Sequence, residues 1–412
     1  MKKLIILLLL TPKIASGLTI SQLKSKLNGN IEIQQGRKKI EALKFSLKGD
    51  KRELFYPKFN LTTSANLFYP EIIGQSTWGK NFSAGISISS VIWNFQMGTT
   101  IEIDNKKIDR ENLTLGKNFE EIYYEGISLL LQLKAAQEKI ALRNRAVENA
   151  QKILNVAIKK YETGLVLITD VLKARANLEK AKANLVSAKN EYGKLENSIK
   201  YLLNIREEVK PEIVLKDSFN IQPLNKIIES AIKNRKEISI QKINIKTAKL
   251  TSKLVKDGNK PSVTLSASYT RTSDDLSFEN ENANIGINLN WPFFDSQKTK
   301  YRYLSAEKEA EISQLEIKKI ENSIIKEVSD SYSDFKSARE NLKNAQAYLN
   351  FANQSYTRTL KEYKAGVSDI VSLLTADSEL INSEEQYITT KTNYNISYYK
   401  LLKSTGTIGG LK

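Results

Sequence analysis

Residues 161–192 read YETGLVLITDVLKARANLEKAKANLVSAKNEY, and residues 363–394 read YKAGVSDIVSLLTADSELINSEEQYITTKTNY. Laid over each other at an offset of 202, with no gap, they share eight of 32 residues: Tyr161/Tyr363, Gly164/Gly366, Ile168/Ile370, Leu172/Leu374, Ala174/Ala376, Leu178/Leu380, Lys189/Lys391 and Tyr192/Tyr394. Chance gives roughly two, so the chain carries an internal repeat. Apolar residues recur at spacings of three, four and seven, as in Leu178, Ala181, Leu185, Ala188 and Tyr192 or in Phe335, Ala338, Leu342, Ala345 and Leu349. That period marks helices with a coiled-coil-like seam. No proline lies between residues 71 and 210 or after 292, which leaves both windows free to be continuous helix. Gly164 and Gly366 fall where one helix ends and the next begins, a place that suits a left-handed cap. Each copy therefore predicts a long antiparallel helical hairpin, with its tip near 164 in one and 366 in the other.

Outside the hairpins the period changes to two. KFNLTTSANL (58–67), FSAGISIS (82–89), SVTLSASYT (262–270) and ANIGINLNW (283–291) alternate apolar residues with Ser, Thr, Asn and Gly. Strict alternation predicts strands, over about 57–68, 82–92, 261–271 and 283–293. They repeat as well: Pro57-Lys-Phe-Asn-Leu answers Pro261-Ser-Val-Thr-Leu, and LNGNIEI (27–33) resembles IKNRKEI (232–238). The order helix, strand pair, helical hairpin thus occurs twice, over 18–210 and 211–412, with Pro211 and Pro223 in the linker between them.

Composition narrows the function. The 412 residues hold no histidine and no cysteine, which excludes thiol chemistry, disulfides, Cys/His metal sites and histidine-based triads. No catalytic residue, cofactor site or metal site is expected. The net charge of +17 reads as lysines spread over solvated helix faces. MKKLIILLLLTPKIASG (1–17) has the basic start, short apolar run and small residues of a secretory signal peptide. Export argues against a basic nucleic-acid-binding helical protein, and no nucleic acid is expected as a partner.

Two packings of the strands are open: hairpins half-buried on helices, or a membrane barrel. Strand lengths of nine or ten residues, the export signal and aromatics at the strand ends favour the barrel. Those aromatics are Tyr56, Phe68, Tyr69, Trp78, Trp93, Trp291 and Phe293, and they predict contact with outer-membrane lipid at its interfaces. Four strands cannot close a membrane barrel, because the smallest need about eight. The chain must therefore oligomerise: two copies supply eight strands, three supply 12. A secreted coiled coil without a pore does not account for the alternating strands.

At this point the chain resembles the TolC-like outer membrane efflux family. The resemblance rests on Gly164-Leu-Val-Leu-Ile-Thr-Asp-Val-Leu with Ala174-Arg175, and on Tyr363-Lys-Ala-Gly366 with Ile370-Val371 and Leu374. Asn234-Arg235, Trp93-Asn94 and Pro292-Phe-Phe-Asp295 add to it. It implies an α+β membrane protein: a trimeric 12-stranded β-barrel continued by a 12-helix periplasmic tunnel. It also implies a channel, not an enzyme, that docks a periplasmic adaptor (membrane fusion) protein and an inner-membrane efflux pump or ABC exporter. The cargo is drugs or other small molecules, or alternatively secreted proteins by type I secretion. Gly164, Leu165, Val166, Gly366, Val367 and Ser368 align with the family's adaptor-docking tips. Asp170, Tyr363, Ser372 and Thr375 align with the entrance gate. Ser368 stands where one well-known family member has an arginine, and Ser372 and Thr375 where that member has two inward aspartates.

Overall fold

The computed structural model describes residues 17–69, 78–274 and 276–411. The signal-peptide reading of 1–17 therefore lies, apart from Gly17, outside the described residues. Helices α1 (Ile20–Lys26) and α2 (Ile31–Phe55) lead to strands β1 (Lys58–Phe68) and β2 (Gly79–Asn94). Long helix α3 (Gln96–Glu162) and α4 (Ile168–Leu203) then form the first hairpin. After an extended linker the order recurs: α5 (Leu224–Asn234), α6 (Lys236–Lys256), β3 (Ser262–Ser273), β4 (Asn280–Asn290), α7 (Lys298–Ala365) and α8 (Ile370–Ser404). The fold is α+β and mostly helical. None of the described helices is long and apolar enough to cross a membrane.

By their contacts the residues group into two compact units that do not follow the sequence repeats. Residues to Gln35, Gly116–Lys236 and those from Glu321 make one; Gly36–Leu115 and Glu237–Ile320 make the other. Each unit draws on both copies.

The second unit holds the sheet, an antiparallel meander in the order β1-β2-β3-β4. Register sorts its side chains onto two faces, except toward the loop end, where Lys80, Arg271 and Glu281 join the apolar side and Phe68 the polar one. Rows such as Phe59–Ile88–Ala267–Ile285 and Leu61–Ile86–Tyr269–Ala283 share one face. Rows such as Asn60–Ser87–Ser268–Asn284 and Thr62–Gly85–Thr270–Asn282 share the other. On that polar face the strands carry no charge except Lys58, at the end where the helices attach. Hydroxyls and amides bond across it: Ser64 with Ser83 at 2.8 Å, and Asn288 Nδ2 donating to Ser266 Oγ at 3.0 Å. Among the described residues nothing covers the apolar face; Leu61 is 75% exposed and Ile285 82%. The outer edges of β1 and β4 pair with nothing among the described residues.

Strand ends differ from the alternation. β2 runs from 79 to 94, longer than 82–92, because pairing with β1 and β3 extends past the apolar pattern. A bulge between Val91 and Trp93 lets it bend. β4 covers 280–290 rather than 283–293, since Pro292 has no N–H for a ladder. Trp291 and Phe293 consequently lie just past the strand. The aromatics form two groups. Phe68, Tyr69 and Trp78 sit at the loop end of the sheet, with Tyr69 and Trp78 rings 5.4 Å apart. Tyr56, Trp93, Trp291 and Phe293 sit at the helix end, where Trp93 meets Phe95 at 5.4 Å and Trp291 meets Phe293 at 6.4 Å.

The first unit holds both hairpins from Gly116 of α3 and Glu321 of α7 onward. Its helix ends repeat the same backbone geometry at the 202-residue offset. At each tip the glycine has positive φ, 73° at Gly164 and 82° at Gly366. Leu165 N–H donates to the Lys160 carbonyl at 2.8 Å and Gly164 N–H to Tyr161 at 2.9 Å; Val367 and Gly366 do likewise to Glu362 and Tyr363, at 2.9 and 3.2 Å. This pair of bonds caps the last carbonyls of a helix. The far ends of α4 and α8 use it again, through Asn204 (φ 53°) and Gly406 (φ 69°). Asn30 and Arg235, 205 apart, then clamp those ends. Asn30 Nδ2 donates to the Leu202 carbonyl at 2.7 Å, and Arg235 Nη1 to the Ser404 carbonyl at 3.0 Å. The linker is strapped to α8: Asn395 exchanges two 3.0 Å bonds with the Lys216 backbone, and Phe219 stacks on Tyr398 at 3.8 Å.

Alanine at either 164 or 406 must adopt a left-handed backbone, costing about 1–2 kcal/mol. At 406 the new carbon would also lie 3.1 Å from the Asn234 carbonyl, whereas at 164 nothing is within 4 Å. Gly406→Ala should therefore melt at a lower temperature than Gly164→Ala in circular dichroism; equal midpoints would contradict the close approach.

Candidate functional site: the hairpin tips

The tips rest on a four-helix core. Ala150, Ile153, Leu154 and Ala157 of α3, Ala174 and Leu178 of α4, Tyr363 of α7 and Ile370 and Leu373 of α8 pack together. Farther from the tips, ion pairs tie α3 to α8: Arg143 with Glu385, and Arg145 with Glu384 at 2.8 Å. Beyond the core both connections turn apolar residues outward. Leu165 is 72% exposed and Val367 80%. Val166 and Ser368 are half-buried, and Gly164 and Gly366 are exposed. The six tip residues thus form two small protruding knobs of like build.

The four gate residues do not come together as one network. Tyr363 is only 1% exposed, and its hydroxyl has no hydrogen-bond partner. Burial pushes its ionisation up, with the charge of half-buried Asp170 adding to the shift. Asp170 is therefore a neighbour of Tyr363 but not its hydrogen-bond partner. Lys160 takes the contact instead: its Nζ donates to the Tyr363 carbonyl and lies 4.3 Å from the ring centre. Ser372 and Thr375 are exposed. Ser372 is engaged within its own helix start, where Asp369 caps α8 by accepting from Ser372 N–H at 2.8 Å and from Ser372 Oγ at 3.2 Å. Those bonds hold the Asp369 carboxyl below its usual range, the backbone N–H being the largest cause. The α4 start lacks an equivalent; Leu167 offers no side-chain cap.

Asp377 is the acid that the tip motifs do not point to. It is 2% exposed, and one carboxylate oxygen has no partner. Burial pushes it up to about 6, against a hydrogen bond from Asn177 of α4 that pulls down. Its charge in turn acts on Tyr356 of α7. The signal was present: Ile370, Leu373, Asp377 and Leu380 follow a three-four-three seam spacing, so 377 is a core position filled by an acid. Among the described residues no group of three or more acids could hold a metal ion.

Because the folded Asp377 titrates near 6 and not near 3.8, the native chain binds more protons than the unfolded one between those values. Its stabilising contribution is full below about pH 4 and lost as pH rises through 6, at most about 3 kcal/mol. Asp377→Asn should be more resistant than the parent chain to denaturant at pH 8 and nearly matched at pH 4. A parent chain whose resistance relative to the variant is unchanged across this range would rule the titration out.

A family model described as outer membrane efflux protein matches residues 24–204 and 227–407. The chain is 20% identical over 352 residues to "Outer membrane protein TolC" of Escherichia coli (strain K12), covering 79% of this chain and 69% of that protein. Its fold superposes on the Campylobacter jejuni CmeC outer membrane channel with a TM-score of 0.76, at 18% identity, over 98% of this chain and 91% of that one. The Vibrio cholerae outer membrane protein VceC gives 0.74 at 14% identity, over 94% and 96%.

Proposed function

Because the chain belongs to the outer membrane efflux protein family, we propose that it forms the outer-membrane duct of a tripartite export system, as a homotrimer. It is an outer-membrane channel protein with a large periplasmic part. The observation that carries the trimer is the sheet: an uncovered apolar face, aromatic groups at both ends and two unpaired edges. Unpaired backbone groups in hydrocarbon cost several kcal/mol each, so the edges must meet other copies. Three copies close 12 strands around the uncharged polar face, which becomes the lumen. The chain performs no chemistry on its cargo. In detergent it should run as a heat-sensitive trimer that conducts in planar bilayers; a monodisperse water-soluble monomer would contradict this reading.

The tips are the partner surface. Exposed apolar knobs at the end of a charged hairpin suit a docking protein, here a periplasmic adaptor that links to an inner-membrane transporter. Leu165→Asp with Val367→Asp should abolish export of a toxic dye while trimer level and bilayer conductance stay normal. Undiminished export would remove the docking role.

The mouth is latched weakly. Ser368 offers only a neutral hydrogen bond, about 0.5–1.5 kcal/mol, where an arginine would offer about 1.5–3. Ser372 and Thr375 bring no carboxylate to the entrance. Di- and trivalent cations should therefore block the channel weakly, and Ser372→Asp with Thr375→Asp should create block. Strong block of the unmodified channel would assign the ring to other acids such as Asp369.

A further inference from the structure

The lysines are not spread evenly over the helices near the sheet. In α2 the seam residues Gly36, Leu43, Leu47 and Asp50 are each followed by an exposed cation: Arg37, Lys44, Lys48 and Lys51. In α6 the seam residues Gln241, Ile245, Ala248, Ser252 and Val255 are each followed by an exposed lysine: Lys242, Lys246, Lys249, Lys253 and Lys256. The two stripes match at an offset of 205, the offset that also relates Asn30 to Arg235; Glu41 is the one exception, opposite Lys246. One residue past the seam is about 100° around a helix. Both stripes therefore lie on the same flank of their helices, and both belong to the second unit.

That flank is the outer one. On α2, Glu53 lies on the opposite flank, one residue before seam residue Leu54, and pairs at 2.6 Å with Lys58, which registers with Ser89 on the polar face of the sheet. The flank before the seam is otherwise mostly small or polar, with Ala42, Ser46 and Gly49 on α2 and Asn244, Thr247 and Thr251 on α6; its further charges are Lys39, which is paired with Glu111, and Glu237 at the start of α6. The flank after the seam leads to the apolar face. Lys256 lies over the Tyr303 ring at 5.4 Å. Lys260, one turn on, lies over Phe95 at 4.7 Å, and Phe95 packs on Trp93, a residue of the apolar face.

Among the described residues no carboxylate pairs with Lys44, Lys48, Lys249 or Lys253; the nearby acids are engaged elsewhere. Glu41 pairs with Lys38 and Glu111 with Lys39. On α7, Glu311 pairs with Lys308 at 2.8 Å and Glu307 accepts from the Tyr303 hydroxyl at 2.5 Å. Like charges three or four apart weaken a helix, so two such stripes call for an external counter-charge. Each stripe spans 15 residues, about 21 Å from first to last. Lipid headgroups fill only about 6 Å beside the hydrocarbon and reach only the lysines next to the sheet. A polymer with carboxylates at intervals fits the whole length.

We propose that these stripes form a cationic belt around the outside of the channel, just below the membrane, that binds the carboxylates of the peptidoglycan wall. The inference rests on the membrane reading of the apolar face. The test uses the full-length detergent-purified protein, sedimented with protein-free peptidoglycan sacculi at low salt and at 0.5 M NaCl, roughly where screening falls to a few Å. The parent chain should sediment at low salt and be released at high salt. The variant Lys44→Gln, Lys48→Gln, Lys249→Gln and Lys253→Gln should bind about 10-fold more weakly or less. A charge-matched control, Lys180→Gln, Lys182→Gln, Lys189→Gln and Lys194→Gln on α4, should bind like the parent. Equal binding by the belt variant overturns the proposal. So does binding to phosphatidylglycerol vesicles with none to sacculi, which would assign the belt to lipid. Planar-bilayer conductance is read in parallel: lost sacculus binding in a parent chain that conducts overturns the belt alone, and loss of both overturns the channel reading too.

Discussion

Backbone hydrogen bonding at the sheet edges is the constraint on which the rest depends. A peptide N–H or C=O facing hydrocarbon has no water to fall back on. Four strands with apolar side chains on one face and open edges at β1 and β4 are therefore an incomplete object. In the proposed trimer, completion by copies of the same chain turns the polar face inward and the apolar face to lipid in a single step. It also explains why each protomer repeats one plan twice. Two strand pairs and two hairpins per chain give a wall whose segments are nearly alike, so neighbouring segments can meet by similar contacts within and between chains.

The two copies agree in backbone and differ in chemistry. All four hairpin helix ends that turn left-handed do so 202 residues apart, yet the residues there are Gly164 and Gly366 in one pair and Asn204 and Gly406 in the other. Asparagine tolerates that conformation, and at 406 the approach of Asn234 crowds any side chain, which favours glycine. The divergence is greatest beside the tips. Asp170 answers Ser372, and Arg175 answers the buried Asp377. The second hairpin is thus capped at its second helix by Asp369 and carries the buried Asp377 near its tip, where the first has Leu167 and Arg175. The two tips are therefore of unlike kinds, and the group that titrates near 6 belongs to the second hairpin.

Much of this was legible in the sequence because the signals are local and periodic. Period-two runs gave the strands and their faces, and the tip glycines gave the ends of the long helices. Less was legible where long-range pairing decides. β2 outgrew its alternation because neighbouring strands supplied partners, and β4 ended early because Pro292 could not donate. Asp170 and Tyr363, aligned with the gate by resemblance, are neighbours without a mutual hydrogen bond in the single chain, where Lys160 lies against Tyr363. The linker looked like a spacer between repeats; Asn395 and Tyr398 make it a strap, and nothing local announces either contact. Asp377 was readable from its seam position but fell outside the tip motifs. The lysines looked dispersed because a stripe with a period of 3.5 appears scattered along a linear sequence.

The polar face of the sheet has one further consequence. Serine, threonine and asparagine each both donate and accept hydrogen bonds, and none carries a fixed charge. A wall of such groups lets water bridge from row to row without a preferred polarity. A permeating molecule need not exchange its counter-ions there, and neither cations nor anions accumulate along the wall. In the proposed channel the exit is then permissive, close to bulk water in its demands, and whatever discrimination that assembly exercises is concentrated at the entrance and in the machinery that loads it.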